Sequence, residues 1–154
     1  MSQTSQQPSV TTQDFIKNLR SHLGTRWQHQ GRLPGVCLDC AGLVVIAARQ
    51  SGARIVLDKS AYDRRPDPHL LLQCIEGSGL TLVPMHALEV GDLLVMRYDS
   101  NPQHLAIITE IKEGAPPRII HAAATARAVV EHYLTDDWRG RVAHVFRFPF
   151  AASE

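Results

Sequence analysis

Cys40 is the residue of this chain best placed to act as a nucleophile. A polar stretch from Thr25 to Cys37, broken by Gly31, Pro34 and Gly35, runs into Asp39-Cys-Ala-Gly-Leu-Val-Val-Ile-Ala-Ala-Arg-Gln-Ser-Gly52. Asp39 can cap a helix and Gly52 can end it. The middle is apolar nearly all round, as in a helix at the centre of a fold. Cys40 then lies in the first turn, where unpaired N–H groups and the helix dipole favour thiolate over thiol. The competing reading is a small core residue on an apolar helix. A partner tips the balance. His104 follows Asn101-Pro102 and opens His-Leu-Ala-Ile-Ile-Thr, and His121 ends Arg-Ile-Ile-His. The start of one antiparallel strand lies beside the end of the next, so the two imidazoles can be neighbours. A cysteine, an imidazole to take its proton and a polar group to orient that imidazole make up a nucleophile, a base and an orienter. The other histidines (His22, His29, His69, His86, His132 and His144) read as surface or internally satisfied groups.

Cys37-Leu-Asp-Cys40 admits two other chemistries. A structural zinc site needs four ligands, and only Cys74 and scattered histidines could complete one. A thioredoxin-like pair needs a βαβ unit around the motif, whereas a polar loop precedes it here and strands follow only later. Cys37 reads as a plain loop residue, with a disulfide cap on Cys40 as the alternative. The glycines at 31, 35, 42 and 52 form no phosphate-binding fingerprint, because no strand leads into them. Arg64-Arg65 reads as a solvated pair, and Phe146 and Trp138 as core and edge packing.

The elements that must position these residues can be read in outline. Residues 1–10 are expected to be a flexible tail, and 11–150 one domain. Thr11 with Asp14 predicts a helix start, with Phe15, Leu19 and Leu23 on one face and Gly24 as the stop. Asp67-Pro68 predicts another start, closed by Gly77. From Leu80 onward strands are expected at Leu80–Val83, Leu93–Tyr98, Leu105–Ile111, Arg118–Ala122, Ala128–Tyr133 and Val142–Phe148, with turns between them. Helices first and a strand meander second mean α+β, with N-terminal helices packed on a twisted antiparallel sheet of about five to six strands.

Composition narrows the function. Of 154 residues, 44% are hydrophobic and 20% charged, enough for one core and unlike a disordered chain. A formal net charge of +1 supplies no general field for nucleic acid. No apolar run reaches the roughly 18 residues that cross a bilayer. The polar N-terminus lacks a signal-peptide pattern, so synthesis in the cytoplasm is expected, with another route to any site of action outside it.

Asp39-Cys40-Ala-Gly-Leu before an apolar helix, then Gly91-Asp92-Leu-Leu, His104-Leu-Ala-Ile-Ile and Ile-His121-Ala resemble the NlpC family of papain-like cell-wall peptidases, from about Phe15 to Phe148. Each motif is weak alone; their order and spacing make them specific. Gly24 to Gly31, Arg64 to Pro68, and Phe146-Arg-Phe-Pro149 look most like the phage and gene-transfer-agent, tail-associated branch. The resemblance implies a papain-like fold, with Cys40 as nucleophile, His104 as general base and His121 as the residue orienting it. Trp27 and Asp39 are the candidates for the cleft wall and oxyanion site. Many members carry Tyr where this chain has Trp27, and an indole has one N–H and no acceptor. Ala41 and Ala106 are small departures from the commoner Ser and Gly.

The implied reaction is hydrolysis of an amide bond in peptidoglycan stem peptides, the γ-D-glutamyl–diamino acid bond, with no metal or organic cofactor. Tail proteins would be the partners, on a virion or tail that acts on the cell wall; no nucleic-acid or membrane partner is expected. Two rivals stay open: a tail-assembly or tail-tip structural protein on the same fold, and another thiol amidase or acyltransferase.

Overall fold

A hydroxyl begins the ordered architecture. Thr11 caps α1 (Thr12–Arg20), its side chain accepting from the Asp14 N–H at 3.1 Å. The computed structural model describes residues 10–28, 31–33, 35, 37–53, 68–98 and 101–151. The tail 1–9, Arg64-Arg65 and the Asp67 cap lie outside them. Phe15, Ile16 and Leu19 form the buried face of α1. Leu23 does not join them: the helix ends at Arg20, the chain tightens through His22 N–H to the Leu19 carbonyl at 3.1 Å, and Leu23 is left 45% exposed.

The stretch expected to be loop holds two short strands, β1 (Arg32–Leu33) and β2 (Cys37–Leu38), paired antiparallel. They lead into α2 (Cys40–Gln50), whose residues Ala41 to Ala48 are all buried. Its start allows no side chain at Gly42, where a Cβ would come within 2.2 Å of the Gly31 carbonyl oxygen. That carbonyl accepts from the Asp39 N–H at 3.2 Å, so the loop is bound across the first turn of the helix. Gly52, at φ +99°, carries the chain out of α2. The third helix, α3 (Pro68–Gly77), has the expected bounds.

The rest is the sheet: β3 (Thr81–Val83), β4 (Leu93–Tyr98), β5 (Asn101–Glu110), β6 (Arg118–Ala123), β7 (Ala128–Tyr133) and β8 (Val142–Arg147). A single turn of 3-10 helix (Met85–Ala87) precedes β4, and a short helix, α4 (Asp136–Arg139), precedes β8; the sequence pattern revealed neither. All six strands join one antiparallel sheet in the order β3-β8-β4-β5-β6-β7. Asn101 and Pro102 pair with Tyr98 and Arg97, so they belong to β5 and His104 is its fourth residue.

Strand alternation splits the core in two. Leu93, Val95, Leu105, Ile107, Ile120, Ala122, Val129 and Phe146 face α1 and α2. Leu94, Met96, Ala106, Ile108, Ile119 and Val145 face the other way, where Leu134, Met85 and Trp138 cover them. The α+β class, the helices packed on the sheet and its six antiparallel strands agree with the expectation from sequence; the expected meander holds from β4 to β7, while β8 returns between β3 and β4.

Candidate active site

The site lies where β5 and β6 part company. Their pairing runs through Ile107–Ile120, Ile108–Ile119 and Glu110–Arg118, and does not continue to residues 104–106. Into that opening comes the first turn of α2. The sulfur of Cys40 accepts a hydrogen bond from the Leu105 backbone N–H, one residue from His104. Cys40 is only partly buried and packs against the helix-side core, as does Trp27. The backbone around Trp27 is tied down on two sides: its N–H donates to the Arg127 carbonyl at 3.0 Å, and the Leu38 carbonyl accepts from Gln28 at 3.1 Å.

Helix capping sets the position of Cys40. Asp39 turns its carboxylate back over the helix start, and Oδ1 accepts from the Gly42 N–H at 2.6 Å. Asp39 is therefore a buried cap with an acceptor-only side chain. The donors available to a developing oxyanion at this end are backbone N–H groups, those of Cys40 and the first turn among them.

On the other face of the sheet, in line with Ala106 and Ile119, the imidazoles form a chain. His104 Nε2 meets His121 Nδ1 at 2.5 Å, and His121 Nε2 meets His132 Nε2 at 2.7 Å. His132 Nδ1 reaches the Tyr133 carbonyl oxygen at 2.8 Å. His104 and His121 are buried, and His132 is half-buried. Trp138 of α4 lies across all three rings, its centroid 4.9 Å from His121, 5.4 Å from His132 and 6.3 Å from His104. The Arg141 guanidinium lies 5.5 Å over the Trp138 ring.

Burial decides the charge state here. It pushes the Cys40 thiol up from 9.0 to about 12, and the Asp39 carboxylate adds to the effect; the N–H groups of Leu105, Ala41 and Cys40 itself pull the other way and lose. The thiolate expected at a helix start is thus not the resting form. The carboxylate that organises the helix end also opposes the negative charge beside it. Burial likewise holds His104 well below the ordinary imidazole value, with His121 and Arg141 adding to it. It takes His121 from 6.5 down to about 3, with His132 second. Thiol and imidazole rest uncharged.

Of the residues singled out by sequence, the structure brings His104 and His121 into direct contact and places Cys40 against the residue next to His104. Asp39 acts as a helix cap, and Trp27 sits on the helix side of the sheet. The side chain of Cys37 lies outside those described. His132, read from sequence as a surface or internally satisfied group, and Trp138, read as packing, belong to the imidazole cluster. Among the described residues no group of His, Cys, Asp and Glu side chains is arranged to hold a metal ion.

A capped helix with a cysteine in its first turn, set against sheet strands that carry imidazoles, has the parts of a nucleophile and its base. The NlpC/P60 family model matches residues 24–147, and the chain belongs to that family. Solved structures agree in fold. A lipoprotein-like NLP/P60 family protein from Staphylococcus aureus superposes with a TM-score of 0.64 at 20% identity, covering 95% of this chain and 44% of its own. An NlpC/P60 family protein from Bacillus cereus gives 0.66 at 20% identity, covering 94% and 42%. The NlpC/p60 domain of the peptidoglycan hydrolase SagA gives 0.63 at 18% identity, covering 90% of this chain and all of that domain. The chain thus spans less than half the length of the first two. No curated protein matches it.

Proposed function

We propose that this chain is a cysteine peptidase that hydrolyses an amide bond in peptidoglycan stem peptides, between γ-D-glutamate and a diamino acid. The observation that carries the reading is the imidazole pair in which His104 Nε2 is held by His121 at 2.5 Å, on the strand whose Leu105 N–H meets the Cys40 sulfur. Membership of the NlpC/P60 family supports it, and so does the likeness to the domain of a protein described as a peptidoglycan hydrolase.

In this mechanism His104 takes the Cys40 proton as the sulfur attacks the amide carbonyl, because thiol and imidazole start uncharged. Backbone N–H groups at the start of α2, that of Cys40 first, bind the developing oxyanion, a contribution of about 3 kcal/mol per donor in comparable sites. His104 then gives the proton to the leaving amine, the C–N bond breaks, and water hydrolyses the thioester with His104 again as base. His121 keeps the His104 ring oriented, and Trp27 walls the cleft. The likeness of segments such as Gly24 to Gly31 to tail-associated members supports delivery to the wall as part of a phage-like tail.

The test is incubation with purified sacculi or defined muropeptides, followed by mass analysis. The reading expects products with a new amino group on the diamino acid and a free γ-carboxyl on D-glutamate. Cleavage of another bond would correct the specificity. Intact substrate, with folded protein, would favour the architectural reading.

A further inference from the structure

We propose that His132 is a positioning residue of the catalytic centre: anchored to the Tyr133 carbonyl, it sets the direction of N–H donation along the three imidazoles, so that His104 presents a lone pair at Nδ1. This rests on the reading of His104 as the base. The argument follows from the contacts. A carbonyl oxygen can only accept, so His132 Nδ1 carries the hydrogen in the 2.8 Å contact with Tyr133. In a neutral ring the other nitrogen then accepts, so His121 Nε2 donates across 2.7 Å to His132 Nε2. His121 Nδ1 must in turn accept, and His104 Nε2 donates to it across 2.5 Å. Only one nitrogen of His104 remains without a hydrogen, and it is Nδ1. A ring reversed in this chain would put an N–H at Nδ1, which could not take a proton from the thiol.

The surroundings keep the order single. His104 and His121 are buried with no water-facing alternative, 2% and 0% exposed, so neither can exchange its partner for solvent. Trp138 crosses the His121 ring edge-on at 83°. The end of the chain that faces solvent is the half-buried His132. If His132 took a second proton, both its nitrogens would donate; His121 Nε2 would have to accept, the whole chain would reverse, and His104 Nδ1 would carry hydrogen.

Two substitutions separate positioning from packing. Gln at 132 keeps an acceptor for His121 Nε2–H and a donor for the Tyr133 carbonyl; Phe keeps the ring volume and neither function. Imidazole 15N spectra of wild type, His132→Gln and His132→Phe read the tautomers without substrate. Wild type and His132→Gln should show His104 and His121 hydrogen-bearing at Nε2, and His132→Phe a mixture. On a cleavable muropeptide, His132→Phe should lose about 10–100-fold in kcat with KM nearly unchanged, the range for outer partners that orient functional histidines. His132→Gln should recover most of that loss. Unchanged tautomers in folded His132→Phe would overturn the proposal. So would a His132→Gln variant as impaired as His132→Phe. Because the spectra need no substrate, a failed peptidase assay with the predicted tautomers would count against the proposed function and leave the hydrogen-bond order standing.

Discussion

Glu131 and His132 are consecutive residues of β7, yet they point to opposite faces of the sheet and into networks of opposite kind. On the helix side, Glu131 is saturated with charge partners: Arg20 donates from Nη2 at 2.9 Å, Thr109 Oγ1 at 2.6 Å, and Arg118 lies at 3.8 Å. Burial raises the cost of that carboxylate, but the hydrogen bonds of Arg20 and Thr109 and the charges of Arg20 and Arg118 outweigh it, so its pKa falls. Asp92 is built the same way, with Arg147 at 2.9 Å on each oxygen and the Glu89 N–H at 2.8 Å. On the other face, His104 and His121 are joined in single file and kept uncharged by burial. Permanent charge held by several donors on each carboxylate fixes elements in place. Neutral groups with one direction of donation can pass a proton. Under the proposed function the charged network belongs to architecture and the imidazole chain, with Cys40, to chemistry.

The sharpest way to break this division is at its chemical end. His104→Ala should fold normally and lose about a millionfold in kcat, the scale of removing the base from a nucleophile–base set; a muropeptide assay at matched folded fraction checks it. At the charged end the loss should appear in stability. Arg147→Ala leaves buried Asp92 without its bidentate partner and should cost about 3–5 kcal/mol in urea unfolding. Below its lowered melting temperature it should turn over like wild type. Catalytic loss without destabilisation in that variant would dissolve the comparison.

Acid should weaken both faces, in different windows. The folded pKa of His121 lies at about 3 against 6.5, so its contribution is complete above pH 6.5 and is lost as pH falls toward 3. Glu131 has a lowered pKa, so its contribution holds above the usual carboxylate value and disappears only as pH drops through the folded one. Cys40 acts at the alkaline end: its contribution is full below pH 9.0 and is lost as pH rises toward 12. Urea midpoints that stay flat between pH 7 and 5 would show that the imidazoles are not held neutral. The smallest effect belongs to Arg20→Ala, whose guanidinium side chain is 44% exposed. It should cost about 1 kcal/mol, because the Arg20 end of the pair is open to solvent and Thr109 and Arg118 still hold the carboxylate.

Much of the site was legible because its determinants are local. Asp39 and Cys40 form a cap and a first-turn residue in one turn, whereas the crowding at Gly42 comes from the Gly31 carbonyl and left no mark in the sequence. His104 and His121 were paired by the rule that adjacent antiparallel strands meet end to start. His132 escaped because its contact depends on register: Ile119 faces His132 across β6 and β7, which sets His121 and His132 diagonally on one face. Trp138 escaped with it, riding on a four-residue helix with no periodicity to read. The ion pairs are less legible still, since Arg20 and Glu131 lie 111 residues apart and Asp92 and Arg147 lie 55 apart. The charge state of Cys40 departs from the sequence expectation because a helix start signals N–H groups, but neither the desolvation of the thiol nor the effect of the Asp39 carboxylate beside it.

Rapid acid quench of the protein mixed with excess muropeptide, followed by peptide mass mapping, tests the assignment of Cys40 most directly. The account predicts an acyl adduct on the peptide carrying Cys40, none on that carrying Cys74, and neither adduct nor product from folded Cys40→Ala. Steady hydrolysis with no adduct, and undiminished product from Cys40→Ala, would contradict it.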